Sequence, residues 1–195
     1  MCGIAGEIRF DEKFANSEAV SRITASLAPR GPDGCGIVQQ GRFCFGHRRL
    51  KIIDLSERAA QPMVDSQLGL TIAFNGCIYN YPELRAELEA KGYSFFSHGD
   101  TEVILKAWHA WGAECVQRFH GMFAFAVFDR RDGSLTLARD RFGIKPMYLA
   151  EQPGRLRFAS TLPALVRGGE IDTGIDREAL HTYMSFHAVV PPPRA

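Results

Sequence analysis

The chain mixes two hydrophobic periods. Gly3 to Phe10 opens as an apolar run and reads as a buried strand. Asn16 or Ser17 is placed to cap a helix with Val20, Ile23 and Leu27 on one face, stopped by Pro29. RGPDG, residues 30–34, carries three breakers in five positions and reads as a loop. Phe43 to Arg49 and Leu70 to Phe74 read as strands, the second ending at Asn75-Gly76. Pro82 suits the first position of a helix with Leu84 and Leu88 on one face and Gly92 at its end. Asp100 is the expected N-cap of the next helix, which carries Ile104, Trp108 and Trp111 and stops at Gly112.

The second half is strand-rich. Residues 123–129 (FAFAVFD), a turn at Arg131-Asp132-Gly133 and residues 134–140 (SLTLARD) predict a hairpin. FAFAVF is apolar throughout, so both of its faces are expected to be covered. Met147 to Ala150 and Arg155 to Ser160 predict a second hairpin around Gln152, Pro153 and Gly154. Clustered strands flanked by helices, without βαβ alternation, predict an α+β fold with helices covering antiparallel sheets. After Pro163 come a short helix, the loop RGGEIDTG and a helix capped by Asp176, and the chain runs out in VVPPPRA. Residues 2–165 are therefore expected to form one domain. Residues 166–195 are expected to be a connector and first helix leading to a further, C-terminal domain.

Composition narrows the function. With 46% hydrophobic residues over 195 positions, the chain can bury a large core. A formal charge of +1 disfavours phosphate-driven nucleic-acid binding. No apolar run reaches the roughly 18 residues of a membrane span. The N-terminus lacks the basic and apolar regions of a secretory signal. Cys2, Cys35, Cys44, Cys77 and Cys115 are odd in number and form no CxxC, which predicts reduced thiols in a cytoplasmic protein. His98, His109 and His120 form no metal-binding pattern, so no metal is expected.

Three constellations could carry chemistry. Cys2 becomes the first residue once Met1 is removed, and then joins a thiol to an α-amine of reference pKa about 7.7–8.0. That is a nucleophile and a general base in one residue; the alternative is a small apolar residue opening a strand. Asn75-Gly76 reads either as a turn or as an oxyanion hole made of the Asn75 amide and the Gly76 N–H. Arg49 and Asp100 read singly as a surface charge and a helix cap. Together they suit the carboxylate and ammonium of an amino acid.

These residues stand inside CGIAG (2–6), RGPDGCG (30–36), GHRRLKIIDLS (46–56), AAQPM (59–63), FNGCIYNYPELRAEL (74–88), HGDTEVIL (98–105), GMFAFAVFD (121–129) and LARDRFGIKPMYLA (137–150). In that order the motifs resemble the glutaminase domain of the asparagine synthetase family, a branch of the class II glutamine amidotransferases. The resemblance implies an N-terminal-nucleophile hydrolase fold, an αββα sandwich of two antiparallel sheets. It implies Cys2 as nucleophile, Asn75 and Gly76 as oxyanion hole, and Arg49, Asp100 and main-chain groups near Ile52 and Ile53 as holders of L-glutamine. Asp140, Arg141 and Lys145, in the DRFGIKP loop, are read as structural or interface residues.

Cys77 departs from the pattern, because the branch usually has Glu there against the substrate ammonium. Some relatives amidate carboxylates other than aspartate, among them N-acetylglutaminylglutamine, and a divergent pocket fits such a relative equally well. The implied activity is glutamine hydrolysis through a Cys2 thioester, needing no cofactor in this domain. ATP and Mg²⁺ are expected in a synthetase domain of the same chain, and a homodimer is a further expected partner arrangement. The rival readings are another class II amidotransferase, such as the phosphoribosyl branch, and a silent docking or regulatory domain.

Overall fold

The computed structural model describes residues 1–188. The expected connector sequence VVPPPRA, residues 189–195, lies outside the described residues. The strands are β1 (Gly3–Arg9), β2 (Gly34–Gln40), β3 (Phe43–Arg49), β4 (Met63–Asp65), β5 (Leu70–Ile78), β6 (Gly121–Asp129), β7 (Ser134–Arg139), β8 (Tyr148–Gln152) and β9 (Arg155–Ala159). The helices are α1 (Ser17–Ser26), α2 (Tyr81–Ala90), α3 (Asp100–Trp111), α4 (Cys115–Arg118), α5 (Leu162–Arg167) and α6 (Arg177–Phe186).

Two antiparallel sheets form the middle layers, ordered β2-β3-β1-β9-β8 and β4-β5-β6-β7. The two-residue period of a strand turns alternate side chains to opposite faces. Ile4, Ile8, Phe43, Phe45 and Phe158 of the first sheet thereby meet Ala73, Ala124, Ala126 and Phe128 of the second. Rings on one side face mostly small residues on the other, and Phe43 stacks on Phe128 with centroids 3.9 Å apart. α1 and α5 cover the outer face of the first sheet through Val20, Ile23 and Leu165. α2 and α3 cover the second through Leu88, Ile104 and Leu105, against Ile72, Phe74 and Phe125. The architecture is the expected αββα sandwich. β6 is buried on both faces, as its continuous apolar run implies.

Local readings fail at three places for identifiable reasons. Asn75-Gly76 is not a turn: β5 runs on to Ile78, with Asn75 opposite Ala124 and Gly76 opposite Phe123. A side chain on Gly76 would stand 2.7 Å from the Phe74 ring and 2.8 Å from Phe123 Cα, so glycine here serves close strand approach. Asp100 is not the N-cap of α3; Gly99 is, without a side-chain cap bond, and Asp100 is the first helical residue. β2 and β4 have no clear period of their own and form because β3 and β5 offer them an edge. Elsewhere the caps agree: Asn16 accepts from Ala19 N–H, and Asp176 accepts from Glu178 and Ala179 N–H. Pro82 stands one place further in than expected, after Tyr81.

The boundary expected at 165–166 falls inside α5, and the packing continues beyond it. Glu7 on β1 and Arg157 on β9 are opposite one another and fully buried. Arg157 Nε donates to Glu7 Oε2 at 2.5 Å, and Nη1 donates to Gly169 O at 2.7 Å. Glu7 Oε1 accepts from Asn16 N–H at 2.8 Å. One ion pair thus fastens the start of α1 and the turn after α5 to the middle of the sheet. By contrast α6 buries none of its residues, and Met184 and Phe186 are largely exposed.

Removing one partner of a buried pair leaves an uncompensated charge, which costs about 3–5 kcal/mol. Arg157→Met is expected to lower unfolding stability by that amount in urea titration. The double variant Glu7→Leu/Arg157→Met is expected to lose less than the single one, and an equal or larger loss would show that the lone charge is not the cause.

Candidate active site

A cleft of about 210 Å³ opens where the two sheets diverge. Cys2, Arg49, Ile52, Ile53, Asn75, Gly76, Cys77 and Asp100, every site residue expected from the sequence, line it. Four separate segments of the chain supply them, so the fold performs the convergence that spacing alone did not show.

The first sheet supplies the thiol. Gly3 pairs with Arg48, so Cys2 lies one residue beyond the ladder between β1 and β3. Cys2 Sγ accepts from Leu50 N–H at 3.3 Å and lies 3.7 Å from Leu50 O, and Arg30 Nε donates to Cys2 O at 3.0 Å. Burial, the largest influence, pushes the thiol above its ordinary pKa, and Asp100 adds to the rise. Leu50 N–H, the amino-terminal charge and Arg49 pull it back. Along the inner face of β3 the side chains run Phe43, Phe45, His47, Arg49, from apolar core to charged cleft. Arg49 Nη1 donates to Ser56 O at 2.8 Å and Nη2 donates to Asp54 O. The guanidinium carries five N–H donors, so these bonds shape the Ile52-Ile53 loop without exhausting it.

The second sheet supplies the donors. β4 pairs only Met63 to Asp65 with β5, so the edge of β5 from Phe74 onward has no neighbouring strand. In an antiparallel strand every second residue turns both its N–H and its C=O to a given edge. Phe74 N–H donates to Gln61 Oε1 at 2.7 Å, and Ile78 N–H donates to Asp100 Oδ2 at 3.0 Å. Gly76 lies midway between them. Its opposite residue, Phe123, spends its N–H and C=O on Asp140, on the far side of β6. The Gly76 N–H therefore points to the free edge, between two N–H groups that are already claimed. Beside it, Asn75 is buried and its Nδ2 has no partner among the described residues. Buried donors are rarely left unpaired, so the Asn75 amide, next to the open Gly76 N–H, is free to donate to an acceptor.

Asp100 faces the same edge. Burial is the main influence on its carboxyl and raises it to about 6, while N–H bonds from Ile78, from its own residue and from Thr101 oppose the rise. Asp54 joins the Arg49 loop to the start of α3: Oδ2 accepts from His98 N–H at 2.7 Å and Oδ1 accepts from Ser56 N–H at 2.8 Å. Burial pushes Asp54 up, but those bonds outweigh it and hold the carboxyl below its usual range. The Cys77 thiol is half-buried; burial raises it first and Asp100 second, while Lys145 lowers it.

Three contributors were not read from the sequence. Gln61 and His47 sit within the motifs AAQPM and GHRRL but carry no spacing signal of their own. Lys145, read as a structural or interface residue, is buried in the cleft wall with Nζ 3.1 Å from Met1 Sδ. Asp140 places it there, folding the loop by accepting from Ile144 and Lys145 N–H at 2.9 and 3.0 Å. Asp140 is structural, as expected, and Arg141 is exposed. Trp108 and Trp111 pack against the core over the second sheet.

Comparison with known proteins agrees with this geometry. Asparagine synthetases (glutamine-hydrolysing) 3 and 1 of Bacillus subtilis are 37% and 40% identical to the chain over 183 and 195 residues, covering 92% and 98% of it. Asparagine synthetase B of Escherichia coli (strain K12) is 36% identical over 169 residues, covering 85%. The chain spans 30% of the length of each of these relatives. Among solved structures, glutamine phosphoribosylpyrophosphate amidotransferase from B. subtilis, complexed with ADP and GMP, superposes with a TM-score of 0.73. It is 21% identical, and the match covers 86% of this chain and 44% of that one. The shared fold is the expected αββα sandwich of two antiparallel sheets. The family model for the glutamine amidotransferase domain matches residues 1–195 in full, and the chain belongs to that family.

Proposed function

We propose that this chain hydrolyses L-glutamine to L-glutamate and ammonia through a thioester on Cys2. The observation that carries the reading is the open Gly76 N–H beside the unpartnered Asn75 Nδ2, in one cleft with the Cys2 thiol. In the reactive form Met1 is removed, and the free α-amine of Cys2 takes the thiol proton. The sulfur attacks the side-chain amide carbon, and the Asn75 and Gly76 donors stabilise the tetrahedral oxyanion. One such donor is worth about 10²–10³ in rate. Collapse breaks the C–N bond, and the α-ammonium returns its proton to the departing ammonia. Water then attacks the thioester, the amine again relaying a proton, and glutamate leaves with the thiol restored.

Substrate binding follows from charge. Arg49 suits the α-carboxylate, Asp100 the α-ammonium, and main-chain groups near Ile52 and Ile53 complete the contact. The relatives are named as glutamine-hydrolysing asparagine synthetases, and the chain spans 30% of their length. This supports a longer protein in which the ammonia passes to an ATP- and Mg²⁺-dependent amide-forming domain. The exposed apolar side of α6 suits contact with such a domain.

Protein beginning at Cys2 is expected to release ammonia from glutamine without ATP, Mg²⁺ or aspartate. Cys2→Ala and protein retaining Met1 are expected to release none, as judged by coupled ammonia assay with intact-mass analysis. Full activity with Met1 attached would remove the α-amine from the mechanism.

Asp100 also links function to stability. Its folded pKa, about 6, lies above the ordinary aspartate value of 3.8, so the folded state holds the proton more tightly. Its contribution to stability is present below about pH 4 and is lost as pH rises through 6, an ionised cost near 3 kcal/mol at 1.36 kcal/mol per pH unit. Asp100→Asn is expected to raise the melting temperature of substrate-free protein at pH 7.5 but not at pH 4. It is also expected to lower kcat/KM for glutamine at least tenfold. Besides the fall set by the α-amine, wild-type kcat/KM is expected to lose a further step near pH 6, where Asp100 takes up a proton, and Asp100→Asn is expected to lack that step; identical profile shapes for the two proteins would separate Asp100 from ammonium binding.

Cys77→Glu is expected to lower the glutamine KM by adding a second anion near the substrate ammonium. An unchanged KM in a folded variant would mean that the side chain at 77 does not meet the substrate.

A further inference from the structure

Two side chains outside the reacting set hold the backbone of the residue just before the oxyanion hole. His47 comes from β3 in the first sheet, and Gln61 from the segment before β4. Phe74, which they grip, lies on β5 in the second sheet. Gln61 Oε1 accepts the Phe74 N–H at 2.7 Å, and His47 Nε2 lies 3.0 Å from Phe74 O. A carbonyl can only accept, so His47 carries its proton on Nε2. Gln61 continues the connection, Nε2 donating to Thr101 Oγ1 at 3.2 Å, one residue after Asp100.

Neither side chain is explained by core packing alone. His47 is fully buried at the end of the inner-face row Phe43, Phe45, His47, a position where another apolar side chain would cost less. Its Nδ1 has no partner among the described residues, and an unsatisfied buried nitrogen costs about 1–3 kcal/mol. Burial, the main influence, lowers the ring's pKa to about 4, so it is neutral at neutral pH. Both sheets converge on the Phe74 backbone: the first sheet, which carries Cys2 at its end, reaches β5 through His47. The next residues along β5 are Asn75 and Gly76.

We infer that His47 and Gln61 form a clamp on the two peptide groups flanking Phe74 that sets the position of the Asn75 and Gly76 donors relative to the Cys2 sulfur. They are positioning residues, since neither is assigned a contact with the reacting atoms. A misplacement of about 1 Å at such a site can cost about 10²-fold in rate. The inference rests on the glutaminase reading of the cleft.

The test uses His47→Phe, which removes the donor while keeping a ring, and His47→Gln, whose amide nitrogen can replace Nε2. Gln61→Met removes both hydrogen-bonding atoms at similar length. All are made on the longest available form of the protein, processed to begin at Cys2. Glutamine kcat and KM are measured together with the rate of Cys2 alkylation by iodoacetamide, followed by peptide mass spectrometry. Alkylation displaces iodide at a saturated carbon and forms no oxyanion, so it reports the thiol without the hole.

His47→Phe and Gln61→Met are expected to lower kcat about 10–100-fold, with KM within about threefold and Cys2 alkylation within about twofold of wild type. His47→Gln is expected to recover most of kcat. Unchanged kcat in the first two variants would overturn the clamp, as would equal losses of kcat and alkylation rate, which would point to the thiol instead. If His47→Phe does not fold, the Gln61→Met result decides by the same criteria. A wild-type protein that alkylates at Cys2 but releases no ammonia from glutamine would instead overturn the glutaminase reading.

Discussion

The site depends on one constraint: the segment that carries Cys2 must be held in register against the strands on both of its sides. The first sheet meets it by making β1 its central strand, paired with β3 on one side and β9 on the other. A central strand cannot slip by one residue without turning Ile4 and Ile8 out of the inner core. Register is thus set by buried apolar side chains, and Cys2 inherits its place from them. The Glu7–Arg157 pair locks the other face of β1 and β9, where α1 and the turn after α5 dock. The Cys2 thiol is thus located by buried side chains further along, in the strand that follows it.

The second sheet solves the complementary problem with an unfinished edge. β4 is three residues long, and where it stops, β5 exposes N–H groups at every second position. Unpaired edges are usually liabilities. Here Gln61 and Asp100 take the outer two and leave the Gly76 N–H between them. The same truncation leaves room for the cleft, so the donor and the space for its acceptor have one cause.

The sequence exposed the long elements because their periods are strong. β1, α1, the β6–β7 hairpin and α3 are all legible from apolar spacing, and the α+β class follows from their order. What was illegible was set by partners distant in sequence. Asn75-Gly76 has the composition of a turn but lies in a strand, because β6 supplies a continuous ladder from Leu70 to Ile78. Asp100 has the composition of a cap, yet its carboxylate bonds to Ile78 N–H. In both cases the local preference was real and tertiary pairing outweighed it. The two positions are also the ones with chemical work in the proposed site, as expected where a sequence departs from its own local rules. His47, Gln61 and Lys145 had no signal, because a single polar residue in a motif does not announce which peptide or cleft it will reach.

The polar groups at the cleft form a graded series rather than a uniform set. Asp54 accepts enough N–H bonds to stay below the usual carboxylate range, and it serves to join two loops. Asp100 is more deeply buried, and its N–H bonds do not offset that burial, so its carboxyl rises to about 6. Asn75 Nδ2 and His47 Nδ1 are buried without any partner among the described residues. Asp54, which joins two loops, is satisfied, whereas Asp100 and Asn75, which face the proposed substrate, are left short of a charge or an acceptor. A zwitterionic substrate bearing an amide oxygen would supply both missing kinds of partner, an ammonium for Asp100 and an oxygen for Asn75 and Gly76. His47 Nδ1 gains nothing from such a substrate, which separates its cost from theirs. Its unpaired nitrogen comes with the imidazole whose other nitrogen reaches Phe74, so that cost belongs to holding the hole in place rather than to filling it.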